Sequence, residues 1–146
     1  MIKSIRFIVL PVLLFVSQQL WAQDGGYAER ARNYVKQYAK YAIENQKESG
    51  VPAAITLGQG IMETEAGISE LVTEANNHFG IKCKNGWTGP TFLHTDDLKD
   101  ECFKKYNNAL ESYKDHSAHL QRNPRYKPLF SYSLTDYARW AHGLKK

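Results

Sequence analysis

The stretch VPAAITLGQGIMETEAG at residues 51–67 decides the fold of this chain. It carries no charge until Glu63, which is typical of a helix buried on most of its sides. Gly58 and Gly60 lower the helix propensity, so we expect another part of the chain to pack closely against them. Gly67 is a natural end for the segment. The stretch therefore predicts a buried helix that carries a carboxyl group near its end.

The side chains of this helix are predicted to separate into an apolar stripe and an edge that carries Glu63. The stripe comprises Ile55, Gly58, Met62 and Ala66, and Leu57 and Ile61 widen it. Glu63 lies off the other edge, near Thr56 and Gln59. A carboxyl group on a buried apolar helix has a raised pKa, which keeps it protonated as a general acid requires. The alternative is an ordinary solvated charge at a helix end.

The N-terminus has the pattern of a secretory signal peptide. A short basic start, MIKSIRF, precedes the apolar run of residues 7–16, which is too short to cross a bilayer comfortably. We predict a signal peptide at residues 1–22; Pro11 and Ala22 favour cleavage over an uncleaved membrane anchor. Removing the signal lowers the formal net charge from +4 to +2. The remaining charges are mixed in sign, which argues against a nucleic-acid partner.

The two cysteines of the chain, Cys83 and Cys102, are separated by 19 residues. An even cysteine count in a secreted protein favours one disulfide. Two buried free thiols are the alternative. Metal binding is disfavoured, because neither cysteine belongs to a CxxC motif.

Helical patterns cover much of the rest of the chain. Apolar residues recur at three- and four-residue steps in residues 26–50, 107–126 and 133–146, and a short helix begins at Ser69. Residues 79–105 instead have Gly and Pro punctuation between short aromatic and β-branched pieces, which predicts a hairpin or a three-stranded sheet. The fold class is therefore α+β, mainly helical with a small sheet inserted, of the lysozyme kind.

Several aromatic and histidine side chains have a structural interpretation. The tyrosines of the first helix are spaced as a packing seam rather than a sugar-stacking ladder: Tyr34, Tyr38 and Tyr41. The side chains expected to face inward from the last helix are Leu134, Tyr137, Ala138 and Ala141. His116 and His119 share a helix face but form no HExxH motif, so the five histidines are interpreted as surface or satisfied residues.

Four segments in order, QGIMETEAGISEL, ANNHFGIKC, GWTG and NPRY, together resemble the β-N-acetylglucosaminidase domain of glycoside hydrolase family 73. Flagellar peptidoglycan hydrolases and many secreted autolysins carry this domain. The resemblance begins at about residue 28 and assigns residues 23–146 to one glucosaminidase domain. The family usually continues beyond the equivalent of Lys146, so the resemblance implies a domain shortened at its C-terminal end.

The resemblance implies roles for individual residues around Glu63. The family pattern is Q-x-x-x-E-[ST]-G-x-G, and Gln59, Glu63, Thr64 and Gly67 match it. By this resemblance Glu63 is the general acid that protonates the glycosidic oxygen. Glu65 departs from the pattern, since the family usually has glycine there. If the backbone at this position has a positive φ, a glutamate costs strain.

The family places its second carboxylate on the β-region, in a T-x-E context. Aligned on Thr95, Asp97 occupies that position, with Asp96 as a close rival. The alternative is a solvated acidic turn. The residues that the resemblance assigns to substrate binding are Tyr126, Phe79, Trp87 and Gln59. Asn76 and Asn77 are expected to connect the short helix to the sheet.

The resemblance implies an enzyme that cuts the β-1,4 bond between N-acetylglucosamine and N-acetylmuramic acid in peptidoglycan glycan strands. It implies no metal or cofactor. From the mixed charges and the predicted signal peptide we further expect no nucleic-acid partner, a secreted or periplasmic location, and a monomer without a stable membrane anchor after signal cleavage. Two alternatives stay open at this point. One is a lytic transglycosylase, which needs no second carboxylate, and the other is a non-catalytic protein that binds the cell wall.

Overall fold

The computed structural model describes residues 9–84 and 86–145, with side chains from residue 26 onward. The predicted signal peptide at residues 1–22 begins outside the described residues, and its side chains lie outside them entirely, so it stays a prediction. The elements are helices α1 Val9–Ser49, α2 Ala53–Glu63, α3 Glu70–Ala75, α4 Ala109–Arg122 and α5 Tyr137–Leu144, strands β1 Thr91–His94 and β2 Glu101–Lys104, and a 3₁₀ helix Lys127–Ser131. The predicted mainly helical α+β class is confirmed.

Helix α1 packs against both α2 and α4. Its tyrosines form the predicted seam, in which Tyr34 is buried and its ring centroid lies 4.6 Å from that of Tyr38. Tyr113 of α4 is fully buried against Tyr38, with 6.4 Å between ring centroids. A second cluster comprises Val51, Leu120, Leu129 and Trp140. None of the helices that the structure describes has the length and apolar character needed to cross a membrane.

The apolar stripe predicted for α2 is only partly buried: Ala66 is buried and Ile55 packs against the core, but Met62 does not. Met62 is 76% exposed, whereas Thr56 and Gly60 are buried. The side chain of Tyr34 lies so close to Gly60 that any Cβ there would overlap the tyrosine hydroxyl. The predicted close approach is thus confirmed at Gly60, but Gly58 has no described atom within 4 Å of its Cβ position. The helix turns its small residues inward because a large aromatic side chain occupies the space.

The predicted inner face of α5 is wrong. Leu134 precedes the helix and is 39% exposed, and Tyr137 is 48% exposed. Ala138 and Ala141 are exposed as well. The helix packs through Trp140, which is completely buried, with its ring in an edge-on contact 5.3 Å from that of Phe130.

The sheet consists of two antiparallel strands, with Phe92 paired to Phe103 at its centre. The preceding segment runs beside β2, since the Lys104 amide donates to the Ile81 carbonyl at 2.9 Å. The predicted disulfide is confirmed: Cys83 and Cys102 are joined, with 5.4 Å between their Cα atoms. The disulfide therefore fastens this segment to the strand next to it.

Replacing both cysteines by serine is expected to lower the free energy of unfolding by roughly 3 kcal/mol, because the open loop regains conformational entropy in the unfolded chain. Urea unfolding of the double variant measures the loss. Wild-type protein held in reductant is the matched control and should show a similar loss. A double variant as stable as the oxidised wild type would contradict this expectation.

Candidate active site

Glu63 is the last residue of α2, and its carboxyl group faces the segment that follows α3. A Cβ added at Gly80 would lie 3.9 Å from Glu63 Oε2. Gly80 has a φ of 57°, in the left-handed region that favours glycine. The carboxyl group therefore lies beside a stretch of backbone without an intervening side chain.

The pKa of Glu63 is raised above its ordinary value, first by partial burial of the carboxyl group and second by the negative charge of Asp96. Both causes disfavour the ionised form. Glu63 is nevertheless exposed as a residue, so solvent or a substrate can reach it. A protonated, accessible carboxyl group is what a general acid requires.

The acidic turn after β1 is gathered around one lysine. Lys82 Nζ lies 2.8 Å from Glu101 Oε1, 3.6 Å from Asp96 Oδ2 and 3.7 Å from Asp97 Oδ2. The hydrogen bond with Glu101 raises the pKa of Lys82 and lowers that of Glu101. Oxygens of the three acids lie within 4.8 Å of one another, a spacing that a metal ion could use. Here the lysine ammonium group offsets one of their three negative charges.

The turn after Glu63 is organised by Thr64, which is fully buried. Its hydroxyl donates to the Gly60 carbonyl at 2.6 Å and accepts from the Gly67 amide at 2.8 Å. Its carbonyl accepts from the amides of both Ile68 and Ser69 at 3.0 Å. One threonine thus satisfies several backbone groups that the end of α2 would otherwise leave unpaired.

Three successive residues of this turn have a positive φ: 52° at Glu65, 61° at Ala66 and 91° at Gly67. The left-handed region is strained for residues that carry a Cβ and is free of that strain for glycine. Glu65 therefore occupies a backbone conformation that suits glycine. The departure from the family pattern has a backbone cost, although the turn still forms.

Tyr34 supports this turn from inside the protein. A Cβ at Gly67 would lie 3.1 Å from its Cδ2 atom, so the tyrosine ring contacts the turn directly. Its hydroxyl lies 2.7 Å from His78 Nδ1 and 3.0 Å from the Tyr113 hydroxyl. Burial lowers the pKa of His78 to about 4, so its ring is neutral at physiological pH. Since His78 is followed by Phe79 and Gly80, one tyrosine connects both sides of the acid.

Sequence reasoning did not find the role of Tyr34 and His78. The tyrosine spacing indicated only a packing seam, and the histidine was one of five with no motif. The available signal was the pair Gly60 and Gly67 on either side of Glu63, because two such glycines indicate that something large approaches closely.

The other predicted site residues lie in different surroundings. Phe79 stacks on His116, with 4.1 Å between ring centroids, and lines a cavity of about 290 Å³. Trp87 lines a neighbouring cavity of about 200 Å³ and donates from Nε1 to the Pro90 carbonyl at 3.1 Å. Tyr126 packs against the second hydrophobic cluster, and its ring lies 6.3 Å from that of His119.

The hydrogen bonds of three predicted polar residues, Gln59, Asn76 and Asn77, differ in number and kind. Gln59 lies one turn before Glu63, and its buried Oε1 atom accepts no hydrogen bond from the described residues. Asn77 donates to the carbonyls of Ile81 and Lys104 at 3.0 and 2.9 Å, and it accepts from the Ile81 amide. Asn76 Nδ2 donates to the Tyr106 carbonyl at 3.1 Å. The expected structural role of both asparagines is confirmed.

Residues 39–146 match the family model described as mannosyl-glycoprotein endo-β-N-acetylglucosaminidase, the glucosaminidase family. The chain belongs to this family. The peptidoglycan hydrolase FlgJ of Salmonella typhimurium is 34% identical over 117 residues, which are 72% of this chain and 37% of that protein. The chain thus spans little more than a third of the length of this curated relative.

Solved structures of a glycoside hydrolase domain and of a peptidoglycan hydrolase have the same fold. The glycoside hydrolase domain of Salmonella typhimurium FlgJ superposes with a TM-score of 0.69 at 27% identity, covering 79% of this chain and 74% of that one. A peptidoglycan hydrolase from Sphingomonas sp. A1 gives a TM-score of 0.66 at 25% identity, covering 77% and 74% of the two chains. The lysozyme-like fold of this family member is therefore confirmed.

Replacing Asp96 by asparagine is expected to lower the pKa of Glu63, because it removes the negative charge that helps to raise it. NMR titration of the Glu63 side-chain carboxyl carbon measures the shift. Asp97→Asn is the matched control, since it removes an equal charge from the neighbouring residue and should have a smaller effect. Equal shifts in the two variants would show that the position of Asp96 is not special.

Replacing Glu65 by glycine is expected to stabilise the protein, because glycine adopts a φ of 52° without strain. The comparison variant is Glu65→Ala, which removes the same carboxylate but keeps the Cβ atom. Urea unfolding should show Glu65→Gly to be about 1 kcal/mol more stable than Glu65→Ala. Equal stabilities would mean that the left-handed turn carries no such cost.

Proposed function

We propose that this chain is a peptidoglycan hydrolase that cleaves the β-1,4 bond between N-acetylglucosamine and N-acetylmuramic acid, with Glu63 as the general acid. The observation that carries the proposal is the position of Glu63 in a glucosaminidase-family fold. It is accessible, it ends a helix, and burial together with Asp96 raises its pKa. Membership of the family and the similarity to FlgJ support peptidoglycan as the substrate.

The reaction begins with proton transfer from the Glu63 carboxyl group to the glycosidic oxygen. The bond between that oxygen and the sugar C1 atom breaks, and positive charge develops on the sugar ring. Water then supplies the hydroxyl group at C1, and its remaining proton is removed by a base.

Asp96 is the better candidate for the second carboxylate, although Asp97 occupies the aligned position. Its charge acts on Glu63, which indicates that the two groups share one electrostatic environment. Lys82 lies beside both aspartates and holds the turn that carries them. In this proposal the Asp96 carboxylate stabilises the positive sugar ring or activates the attacking water.

The proposal also covers the residues that contact the glycan and the location of the protein. Phe79, Trp87, Tyr126 and Gln59 are proposed to contact the glycan chain. A disulfide is typical of a compartment outside the cytoplasm, so it supports a secreted or periplasmic protein with a signal peptide at residues 1–22.

Replacing Glu63 by glutamine is expected to lower kcat on purified peptidoglycan by at least about 10²-fold, because the amide cannot donate the required proton. Release of reducing ends measures the rate. The matched control is Glu65→Gln, the same substitution two residues away, which should change the rate only modestly.

In the wild type, activity should fall as pH rises through the pKa of Glu63, since the acid then loses its proton.

Comparable losses in Glu63→Gln and Glu65→Gln would refute the role of Glu63. Anhydro-muramic ends among the products would instead identify a lytic transglycosylase. Binding to peptidoglycan without any product from the wild type would identify a non-catalytic wall-binding protein.

A further inference from the structure

The cavity next to Glu63 has a composition that the hydrolytic reaction does not explain. It has a volume of about 290 Å³, and Phe79 and Gly80 form one wall. Gly80 also lies near the Glu63 carboxyl group, so one lining residue connects the cavity with the acid. The polar residues that line the cavity are two lysines and two histidines: Lys82, Lys84, His116 and His119. None of the described residues that line it is acidic.

Lys84 provides the uncompensated charge of this cavity. Lys82 is surrounded by three carboxylates, whereas Lys84 is exposed and forms no ion pair with the residues that the structure describes. Lys84 and His119 line the same cavity, and the pKa of His119 is lowered, first by burial and then by the positive charge of Lys84. A neutral imidazole beside an ammonium group offers a hydrogen-bond donor as well as a charge to an anionic ligand.

His116 forms part of the cavity wall from inside the protein. The residue is only 7% exposed, and its Nδ1 atom has no hydrogen-bond partner among the described residues. The stacked ring of Phe79 holds its imidazole in place at 4.1 Å. The Nδ1 atom is itself buried, so it supplies no hydrogen bond to a ligand in the cavity.

We propose that this cavity binds a carboxylate of the peptide attached to N-acetylmuramic acid, with Lys84 supplying the charge and His119 a hydrogen bond. The choice of peptidoglycan as the source of the carboxylate rests on the proposed function. That peptide is the part of the polymer that carries free carboxylates near the scissile bond. A neighbouring cavity of about 200 Å³ shares Lys84 and continues past Trp87, which provides a path for the rest of the peptide.

The test compares two forms of teichoic-acid-free sacculi: native, and treated with carbodiimide and ammonia so that free carboxyl groups become amides. Binding is measured by co-sedimentation, and hydrolysis by release of reducing ends. Wild-type protein should bind the native form at least about tenfold more tightly. Lys84→Ala should lose this preference. Lys36→Ala, which removes an equal charge from an exposed position on α1, should keep it.

Equal binding of the two forms by the wild type, or an unchanged preference in Lys84→Ala, would overturn the proposed cavity. Loss of the preference in Lys36→Ala as well would do the same, because net charge rather than the cavity would then explain it. The binding measurement does not require catalysis. If neither form releases reducing ends but binding still depends on carboxylates and Lys84, the hydrolase proposal fails and the carboxylate site stands.

Discussion

The contact of Tyr34 with the two glycines around Glu63 is the constraint on which the rest of the site depends. Its side chain occupies the space that a Cβ at Gly60 or Gly67 would need. Its hydroxyl is bonded to His78, which lies next to the segment that faces the acid. Because the ring is buried and its hydroxyl is paired, this tyrosine cannot move without disturbing both α2 and that segment. The position of the acid is therefore set from the core outward.

The turn after Glu63 shows how a fold tolerates an unfavourable residue. Glu65 has a φ of 52° at a place where glycine would be free of strain. Thr64 compensates through its hydroxyl and carbonyl, which bond the end of α2 to the start of the next segment. A strain on the order of 1 kcal/mol is small beside the many backbone hydrogen bonds that hold this turn. The departure from the family pattern thus changes the energy of the turn without abolishing its shape.

Local patterns in the sequence were sufficient to predict where helices and strands occur, but not which side of a helix is buried. The helix at residues 51–67 and the sheet between residues 79 and 105 were predicted, and so was the disulfide. The buried face of α2 was predicted only in part, since Ala66 is buried but Met62 is exposed and Thr56 is buried. Hydropathy alone ranks methionine as a core residue, but the aromatic seam of α1 leaves space only for small side chains. The sequence of a helix does not show which side chains of other elements will pack against it.

The sequence by itself determined the family, the mainly helical α+β class, the disulfide, and Glu63 as the candidate acid, because these depend on short patterns and their order. Only the tertiary structure decided which charges meet. It brought Asp96 into the environment of Glu63, gathered three acids around Lys82, and left Lys84 without an ion-pair partner among the described residues. Electrostatic interactions depend on distance in space, and that distance is set by the packing of elements far apart in the chain.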